Sequence, residues 1–536
     1  MPLPALNLAA QTESLAAVPP LTWALAVSPV VLLLALVLWG RFSTIVNASV
    51  TVAYSVAVAA LAFGAGGLTV AVGLGKGAWV GLWILYVIWP ALLMHHLATH
   101  VGMKALGKAL STMLPRRTEN VLLLAWVLPS FIQGVSGFGT PIAVAAPLLV
   151  ALGIGKARAV ALPLIGYHWA VGFGSMGSSF YMGALTAHLD SPGQAAYAAS
   201  AAVLLGVNCV LAGVLVALMD GGLAGLRDGW RLLVTAGPVM ALVQAAAARL
   251  EPGIGALCAG ASGVAVVFVL RRFSSHAPAP AADAEGEDTR LRARAAAVPY
   301  ALLGIVALAV FLPPALRAWA KGHLLIGPSF PQTSTHQGTV NEAVSTYNPI
   351  AFVGHPGTFL LVACAASIAV WASRGIWKSG AWGPVWRGAL RQAWKSSPAV
   401  VLLASVAGVL VDSGMVRTVA QGAAVATGSA YPAIAPLVGA LGSFITGSTT
   451  SSNALFSSLQ ADVAHLIGES PADLLAAQLA GGNIGNSLAP VVILIGLSAV
   501  GAARRTGEVL RMTLVPAAAL LASAITCTLL LVAVHH

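Results

Sequence analysis

Two stretches of this chain are apolar, free of charge and too long to cross a bilayer as straight helices. The first, from Asn120 to Gly155, contains no charged side chain, and as one helix it would extend about 54 Å. A hydrocarbon core is only about 30 Å thick. The second run, from Thr418 to Ala461, is longer still. Each run is therefore predicted to break or to re-enter the membrane.

The composition of the whole chain indicates the same environment. Of its 536 residues, 58% are hydrophobic and 8% are charged, whereas a soluble domain carries about 25% charged residues. We expect an all-α polytopic membrane protein with about 12–14 transmembrane helices and helices that are broken or re-entrant at mid-membrane. The candidate spans are about 21–40, 49–73, 78–101, 119–153, 158–182, 196–219, 231–249, 253–270, 296–316, 356–373, 397–415, 431–465, 472–501 and 511–534.

The charged residues indicate orientation and a division into two halves. The net charge of +11 comes from 27 Lys+Arg against 16 Asp+Glu, and the basic residues lie in short loops between apolar runs. Cytoplasmic loops have this character, so a nucleic-acid partner is not expected. A charged linker, 271–295, is predicted to separate membrane halves 1–270 and 296–536. The loop from Lys321 to His355 is predicted to be external, and the basic, Trp-rich stretch from Arg374 to Lys395 cytoplasmic.

The two overlong runs share a sequence motif. PSFIQGVSGFGTP, from Pro129 to Pro141, and GSFITGSTTSSNA, from Gly442 to Ala454, both contain SFI-x-G. Each copy follows a Gly-Met pair at a nearly equal distance. A predicted helix ends at each of these pairs, and positive charge flanks the two helices at opposite ends. By the positive-inside rule these helices run in opposite directions, which predicts an inverted-topology repeat. Chance similarity in Gly/Ala-rich sequence is the alternative.

After their glycines, both copies can start a new helix inside the membrane. Thr140-Pro141 has the order of an N-cap followed by a proline at the first helical position, and Ser448 to Ser452 supply several N-caps before Asn453. Two half-helix N-termini that face each other would bind a small anion such as a carboxylate without a fixed cation. Tight packing of small residues is the alternative. The residues predicted to bind substrate are Gln133, Gly134, Gly137, Phe138, Gly139, Thr140, Thr446, Gly447, Ser448, Thr449, Thr450, Ser451, Ser452, Asn453, Asn483 and Asn486.

Few ionisable residues lie inside the predicted spans. Asp412, in GVLVDSGM, and His168, in GYHWAVGFGSMGSS, are the candidates for proton coupling. A water-accessible helix end for Asp412, and a structural role for His168, are the alternatives. His96 and His100 are spaced for one helix face, but no carboxylate completes HExxH, so no metal and no cofactor are expected.

These motifs resemble the L-lactate permease family of bacterial transporters. The resemblance is carried by SFIQGVSGFGTPIAVAAPLLVALG (Ser130 to Gly153), ITGSTTSSNALFSSLQ (Ile445 to Gln460) and AGGNIGNSLAP (Ala480 to Pro490). It implies uptake of lactate or glycolate with protons across the bacterial plasma membrane. The family pattern has an acid at the position of Gln133, another at Thr449, and a lysine at Asn486. The resemblance thus implies that a buried charge network has been removed whole here, which puts the coupling route in question.

Three functions from different classes follow from these features. The leading one is a secondary transporter for a small 2-hydroxy monocarboxylate, with protons as the coupling ion. The second is an uncoupled anion channel of the same architecture. The third, an intramembrane enzyme that uses His96 and His100, is disfavoured because the sequence has no nucleophile–base motif and no phosphate-binding loop after a strand.

Overall fold

The computed structural model describes residues 18–39, 41–103, 105–106, 114–137, 139–273, 287–377 and 379–535. Their regular secondary structure is helical apart from four two-residue strands. Eleven helical segments are long and apolar enough to cross a membrane, or up to 13 if each of two bent pairs is one span. The helices are α1 Pro20–Trp39, α2 Thr44–Ala62, α3 Gly67–Val101, α4 Arg117–Val135, α5 Thr140–Ala151, α6 Lys156–Tyr167, α7 Gly174–Thr186, α8 Ser191–Leu250, α9 Gly255–Arg272, α10 Glu287–Phe311, α11 Pro314–Gly322, α12 Pro356–Ser373, α13 Trp382–Asp412, α14 Met415–Thr427, α15 Tyr431–Thr446, α16 Thr449–Ile467, α17 Pro471–Leu488, α18 Pro490–Ala499 and α19 Thr506–His535. The predicted all-α polytopic architecture is confirmed.

Both overlong apolar runs are broken where their length required it. The first divides into α4, which contains a π-helical turn at Leu123–Val127, and the short α5. The second divides between α15 and α16 at Gly447, whose φ of +70° is in the left-handed region. Glycine adopts that conformation without a steric penalty, so the chain can turn there inside apolar surroundings.

Other helices differ from the predicted spans. The stretch 158–182 is not one straight helix: α6 and α7 meet at an angle of 57°. The 60-residue α8, by contrast, is divided by a kink at Gly222, which lies between the predicted spans 196–219 and 231–249. Helix α13 begins at Trp382, so much of the basic stretch predicted as a loop is helical. Its tryptophans and basic residues did not break the helical pattern, because all of them are compatible with a helix.

Helices α3 and α13 lie side by side in opposite directions. A Cβ added at Gly77 would approach Ser405 Cα to 2.4 Å, and one at Gly81 would approach Val401 Cα to 2.8 Å. Small residues let the two backbones come this close. The antiparallel arrangement agrees with the opposite directions predicted for this pair. The full inverted repeat remains a prediction, as does the division at 271–295, of which residues 274–286 lie outside the described part.

The stretch predicted as an external loop forms a compact strap over one end of the helices. Its short antiparallel pairs join β1 (Leu325–Ile326) with β4 (Ile350–Ala351) and β2 (Thr333–Ser334) with β3 (Val340–Asn341). The His336 amide donates to the Gly64 carbonyl beyond α2, and the Asn341 side chain donates to the Asp412 carbonyl at the end of α13. The strap therefore ties separate helix ends together.

Candidate functional site

The two breaks meet at one cavity of about 180 Å³. The first copy of the motif contributes Gln133, Gly137 and Gly139, and the second contributes the segment from Gly447 to Thr450. Helices α6, α7, α17 and α18 close the remaining sides. The other lining residues are Tyr167, Val171, Ser175, Ser178, Ser179, Asn486, Val491, Val492 and Ile495. Two segments distant in sequence thus line one cavity.

Helix α16 begins at this cavity with a well-formed cap. Ser448 is its N-cap, and the Ser448 hydroxyl accepts a hydrogen bond of 3.3 Å from the Ser451 amide. The amides of Thr449 and Thr450 belong to the first turn, where a helix has no carbonyl of its own for them. The Thr449 residue is 2% exposed, and its hydroxyl has no hydrogen-bond partner among the described groups. This end of α16 therefore presents donors and a positive dipole end to the cavity.

Helix α5 begins differently, and the predicted cap at Thr140 is wrong. Gly139, with φ +80°, is the N-cap, and Thr140 is already helical. The Thr140 amide donates to the Gly137 carbonyl at 3.0 Å, and its hydroxyl pairs with the Ser136 hydroxyl at 3.2 Å. The next residue, Pro141, has no N–H. The first half-helix consequently has fewer free donors than α16, so the two ends are not equivalent anion sites.

The start of α7 forms a third wall that the sequence analysis missed. Ser175 and Met176 have φ values of +48° and +53°, followed by Gly177 at +77°. Non-glycine residues in this region are uncommon and carry strain, which concentrates at functional sites. The Ser179 hydroxyl lies 3.0 Å from the Thr450 hydroxyl of α16. A signal was present in the sequence, because the GFG of residues 172–174 repeats the GFG of residues 137–139 in the first motif.

The predicted binding residues separate into those that line the cavity and those that contact other parts of the protein. Gln133, Gly137, Gly139, Gly447, Ser448, Thr449, Thr450 and Asn486 line it. Three others bond within their own segment: Thr140 pairs with Ser136, Thr446 donates to the Gly442 carbonyl, and the Ser451 amide donates to Ser448. Three donate to carbonyls of other elements: Ser452 to Gly439, Asn453 to Ser179 and Asn483 to Trp169. A Cβ added at Gly134 would meet the Leu257 backbone. Phe138 lies outside the described residues.

The described lining of the cavity carries no charged side chain. Gln133, Thr449 and Asn486, at which the family pattern places charges, all lie in this one lining. Their neutrality is therefore a joint property of one site and not three unrelated differences. Removing a whole buried network leaves no charge without a partner.

Asp412 has a partner that the sequence analysis missed. The Lys76 Nζ atom lies 3.1 Å from Asp412 Oδ1 and 3.0 Å from Oδ2, and both side chains are buried. Lys76 was overlooked because the sequence pattern placed it between two spans, whereas α3 extends through it. The pair borders a second cavity of about 20 Å³, also bounded by Thr186, His188 and Ser458.

The histidines singled out by the sequence have ordinary neighbours. His168 is fully buried, its Nδ1 donates to the Ile165 carbonyl at 2.8 Å, and its Nε2 has no partner among the described groups. It does not line the cavity at which the two breaks meet. His96 Nε2 lies 3.1 Å from the Gln392 side-chain oxygen. Across the described residues, no group of three or more His, Cys, Asp or Glu side chains could hold a metal ion.

Known proteins resemble this chain over most of its length. L-lactate permease from Streptococcus iniae is 28% identical, over 74% of this chain and 81% of the relative. L-lactate permease from Escherichia coli strain K12 is 26% identical over 87% and 88%, and the same organism's glycolate permease GlcA is 27% identical over 82% and 83%. Among solved structures, the Alcanivorax borkumensis YdaH transporter matches with 15% identity and a TM-score of 0.47, over 85% and 86% of the two chains.

The family model described as L-lactate permease matches residues 23–535, nearly the whole chain. Members of a permease family are transporters, so the alternative of an intramembrane enzyme is excluded. Together with the apolar helices, this match places the chain among multi-pass proteins of the bacterial plasma membrane. The chain is a member of the L-lactate permease family.

Proposed function

We propose that this protein transports a small 2-hydroxy monocarboxylate, such as lactate or glycolate, together with protons. The observation that carries the proposal is the single cavity at which both broken segments meet and α16 begins. Two of the relatives are named for lactate and for glycolate, which share a carboxylate with a hydroxyl on the adjacent carbon. The substrate is therefore a small anion with one further polar group.

The carboxylate would bind at the N-terminus of α16. The first amides of that helix, at Thr449 and Thr450, point their unsatisfied N–H groups to the start of the helix, where the dipole also favours negative charge. A fixed cation is not needed for this interaction. The cavity volume of about 180 Å³ is below the roughly 300–1,000 Å³ typical of sites for drug-sized ligands, which suits a substrate of a few heavy atoms.

The substrate hydroxyl would be recognised by neutral side chains. Thr449 supplies a buried hydroxyl with no described partner, and Gln133 and Asn486 supply amide groups in the same lining. A buried polar group without a partner costs about 1–3 kcal/mol. An acid that satisfies the Thr449 hydroxyl is therefore favoured over one that lacks the 2-hydroxyl.

Purified protein in proteoliposomes tests substrate and coupling separately. We expect exchange of labelled L-lactate or glycolate against the same acid inside, and faster net uptake when the outside is made acidic. Absence of exchange for both acids would reject the substrate class. Exchange without any effect of the pH gradient would reject proton coupling, and weakly saturating currents that ignore the gradient would support the anion channel instead.

Of the two residues considered for proton coupling, Asp412 has the better surroundings. It lies beside a cation and next to a small cavity that Thr186 and Ser458 also border. His168 has one ring nitrogen committed to Ile165 and the other without a described partner. A second proton on His168 would place a buried charge in apolar surroundings, which is costly.

A further inference from the structure

The neutral substrate cavity leaves the coupling proton without an obvious place to bind there. Tyr167 is the only ionisable side chain in its described lining, and a phenol with an ordinary pKa of about 10 keeps its proton at neutral pH. A carboxylate, imidazole or amine elsewhere must exchange the proton if transport is coupled to it. Among the buried carboxylates of the described residues, Asp412 is the one whose cationic partner, Lys76, is buried as well.

The groups around this pair are polar but neutral. His188, in the loop after α7, borders the small cavity and is exposed on its other side; desolvation of the ring and the nearby Lys76 ammonium both lower its pKa. His188 is therefore uncharged near neutral pH. The Lys76 ammonium also lies 5.8 Å from the centre of the Tyr347 ring. The pair thus consists of one cation and one anion, and protonation of the carboxylate changes the local net charge by one unit.

Helices α7 and α16 connect the pair to the substrate cavity. Both begin at that cavity and run side by side in the same direction to the pair. From Thr450 to Ser458, α16 rises about 12 Å. Hydrogen bonds join the two helices along this length: Ser179 with Thr450 at 3.0 Å, Asn453 to the Ser179 carbonyl at 2.8 Å, Thr186 to the Asn453 carbonyl at 3.3 Å and Ser458 to the Thr186 carbonyl at 2.8 Å.

The last two members of this series reach the pair itself. Thr186 and Ser458 border the 20 Å³ cavity together with Lys76 and Asp412. A cavity of this size has room for about one water molecule. A displacement of Asp412 or Lys76 would therefore act directly on the end of α7 and the middle of α16, the two helices whose starts line the substrate cavity.

We propose that the Lys76–Asp412 pair is the binding site of the coupling proton, and that α7 and α16 link its state to the substrate cavity. This proposal rests on the proposed function. The proton adds to a carboxylate oxygen of Asp412, which converts the ion pair into a neutral acid beside an ammonium. The O–H bond breaks again when the proton is released on the other side. Loss and recovery of the ionic attraction move the two helices.

The first experiment removes the charges in proteoliposomes. Asp412→Asn alone leaves the Lys76 ammonium buried without a partner. The double variant Lys76→Met/Asp412→Asn is therefore included, because it removes both charges. We expect exchange of labelled lactate to persist in the double variant, and accumulation driven by a pH gradient to fall at least tenfold. Accumulation equal to that of the unaltered protein, in either variant, would overturn the proposal.

A second ion pair, with a buried carboxylate and a half-exposed lysine, controls for the loss of a buried carboxylate's partner in general. Lys321 Nζ lies 2.8 Å from Glu251 Oε2, and the Glu251 side chain is 2% exposed. Lys321→Met/Glu251→Gln should leave the ratio of accumulation to exchange unchanged, and an equal fall in that ratio would overturn the assignment. If the unaltered protein shows no exchange, the proposed function fails; if it accumulates lactate and only the assignment is contradicted, the proposed function stands.

The second experiment tests the connection. Thr186→Val and Ser458→Ala keep both charges but remove contacts between α7 and α16. We expect a severalfold lower ratio of accumulation to exchange. Thr528→Val, whose hydroxyl bonds only within its own helix at 2.8 Å, is the control and should keep the ratio. A role in folding alone would lower accumulation and exchange together, and that result would overturn the connection.

Discussion

At the scale of single residues, the site depends on where each hydroxyl is directed. Ser448 was one of several serines and threonines predicted as an N-cap, and it is the cap of α16. Thr140 was predicted to cap α5, but its hydroxyl turns to Ser136 and Gly139 takes the cap position. Glycine before Thr-Pro can adopt a left-handed conformation. The sequence alone does not show whether Gly139 or Thr140 takes the cap position.

The Thr449 hydroxyl gives a prediction at this scale. Thr449→Val keeps the shape of the side chain but removes a buried hydroxyl that lines the cavity. Loss of one hydrogen bond, about 1 kcal/mol, should raise the KM for lactate roughly fivefold. Propionate, which lacks the 2-hydroxyl, should inhibit lactate exchange about as well in the variant as in the unaltered protein. Exchange kinetics with propionate as competitor check this, and a selectivity for lactate that stays unchanged would contradict it.

The cap of α16 gives a second prediction. Ser448→Ala removes the acceptor for the Ser451 amide, which typically costs about 1 kcal/mol of helix stability. Because this helix end is the proposed carboxylate site, lactate affinity should fall along with the thermal stability. Ser448→Asn, which retains a capping oxygen, should recover most of both. Exchange and thermal unfolding in detergent measure the two effects, and full activity in Ser448→Ala would count against a carboxylate at this helix end.

At the scale of helices, the length of a charge-free run predicted two breaks but gave no indication of the bend between α6 and α7. The two longest charge-free runs exceed a bilayer, so each had to break. The stretch that contains α6 and α7 is short enough to cross as one helix, and nothing in its length required the 57° bend. Glycines 172, 174 and 177 permit that bend, but glycine is also common in straight membrane helices.

Packing between α15 and α17 gives a prediction at this scale. A Cβ at Gly481 would lie 1.9 Å from the Pro436 carbonyl oxygen, so Gly481→Ala forces the two helices apart. Overpacking of this kind typically costs about 1–3 kcal/mol, and the melting temperature should fall. Gly304→Ala, in α10, meets nothing within 4 Å and should leave it unchanged or slightly higher. Equal melting temperatures for both variants would contradict the observed interface.

At the scale of the whole molecule, the positive-inside rule predicts which side each loop occupies. The strap, which contains Ser329, is low in basic charge. Helix α12 ends at Ser373, and the stretch that follows it is basic. One helix, α12, separates them. Both residues are exposed in the structure.

Thiol labelling of intact cells checks this orientation. With the four native cysteines replaced, Ser329→Cys should react with a membrane-impermeant maleimide from outside. Ser373→Cys should react only after the cells are permeabilised. The reversed pattern would overturn the predicted orientation, and labelling of both from outside would show that α12 does not cross the membrane.

The sequence by itself determined the environment, the helical class, the two long breaks and the motif copies that line the site. These follow from hydrophobicity, length and helix chemistry, which are local properties of the chain. The tertiary structure decided which groups meet: Ser175 and Ser179 with the motif copies, and Lys76 with Asp412. Such contacts join residues hundreds of positions apart, and they depend on helix packing that no local pattern specifies.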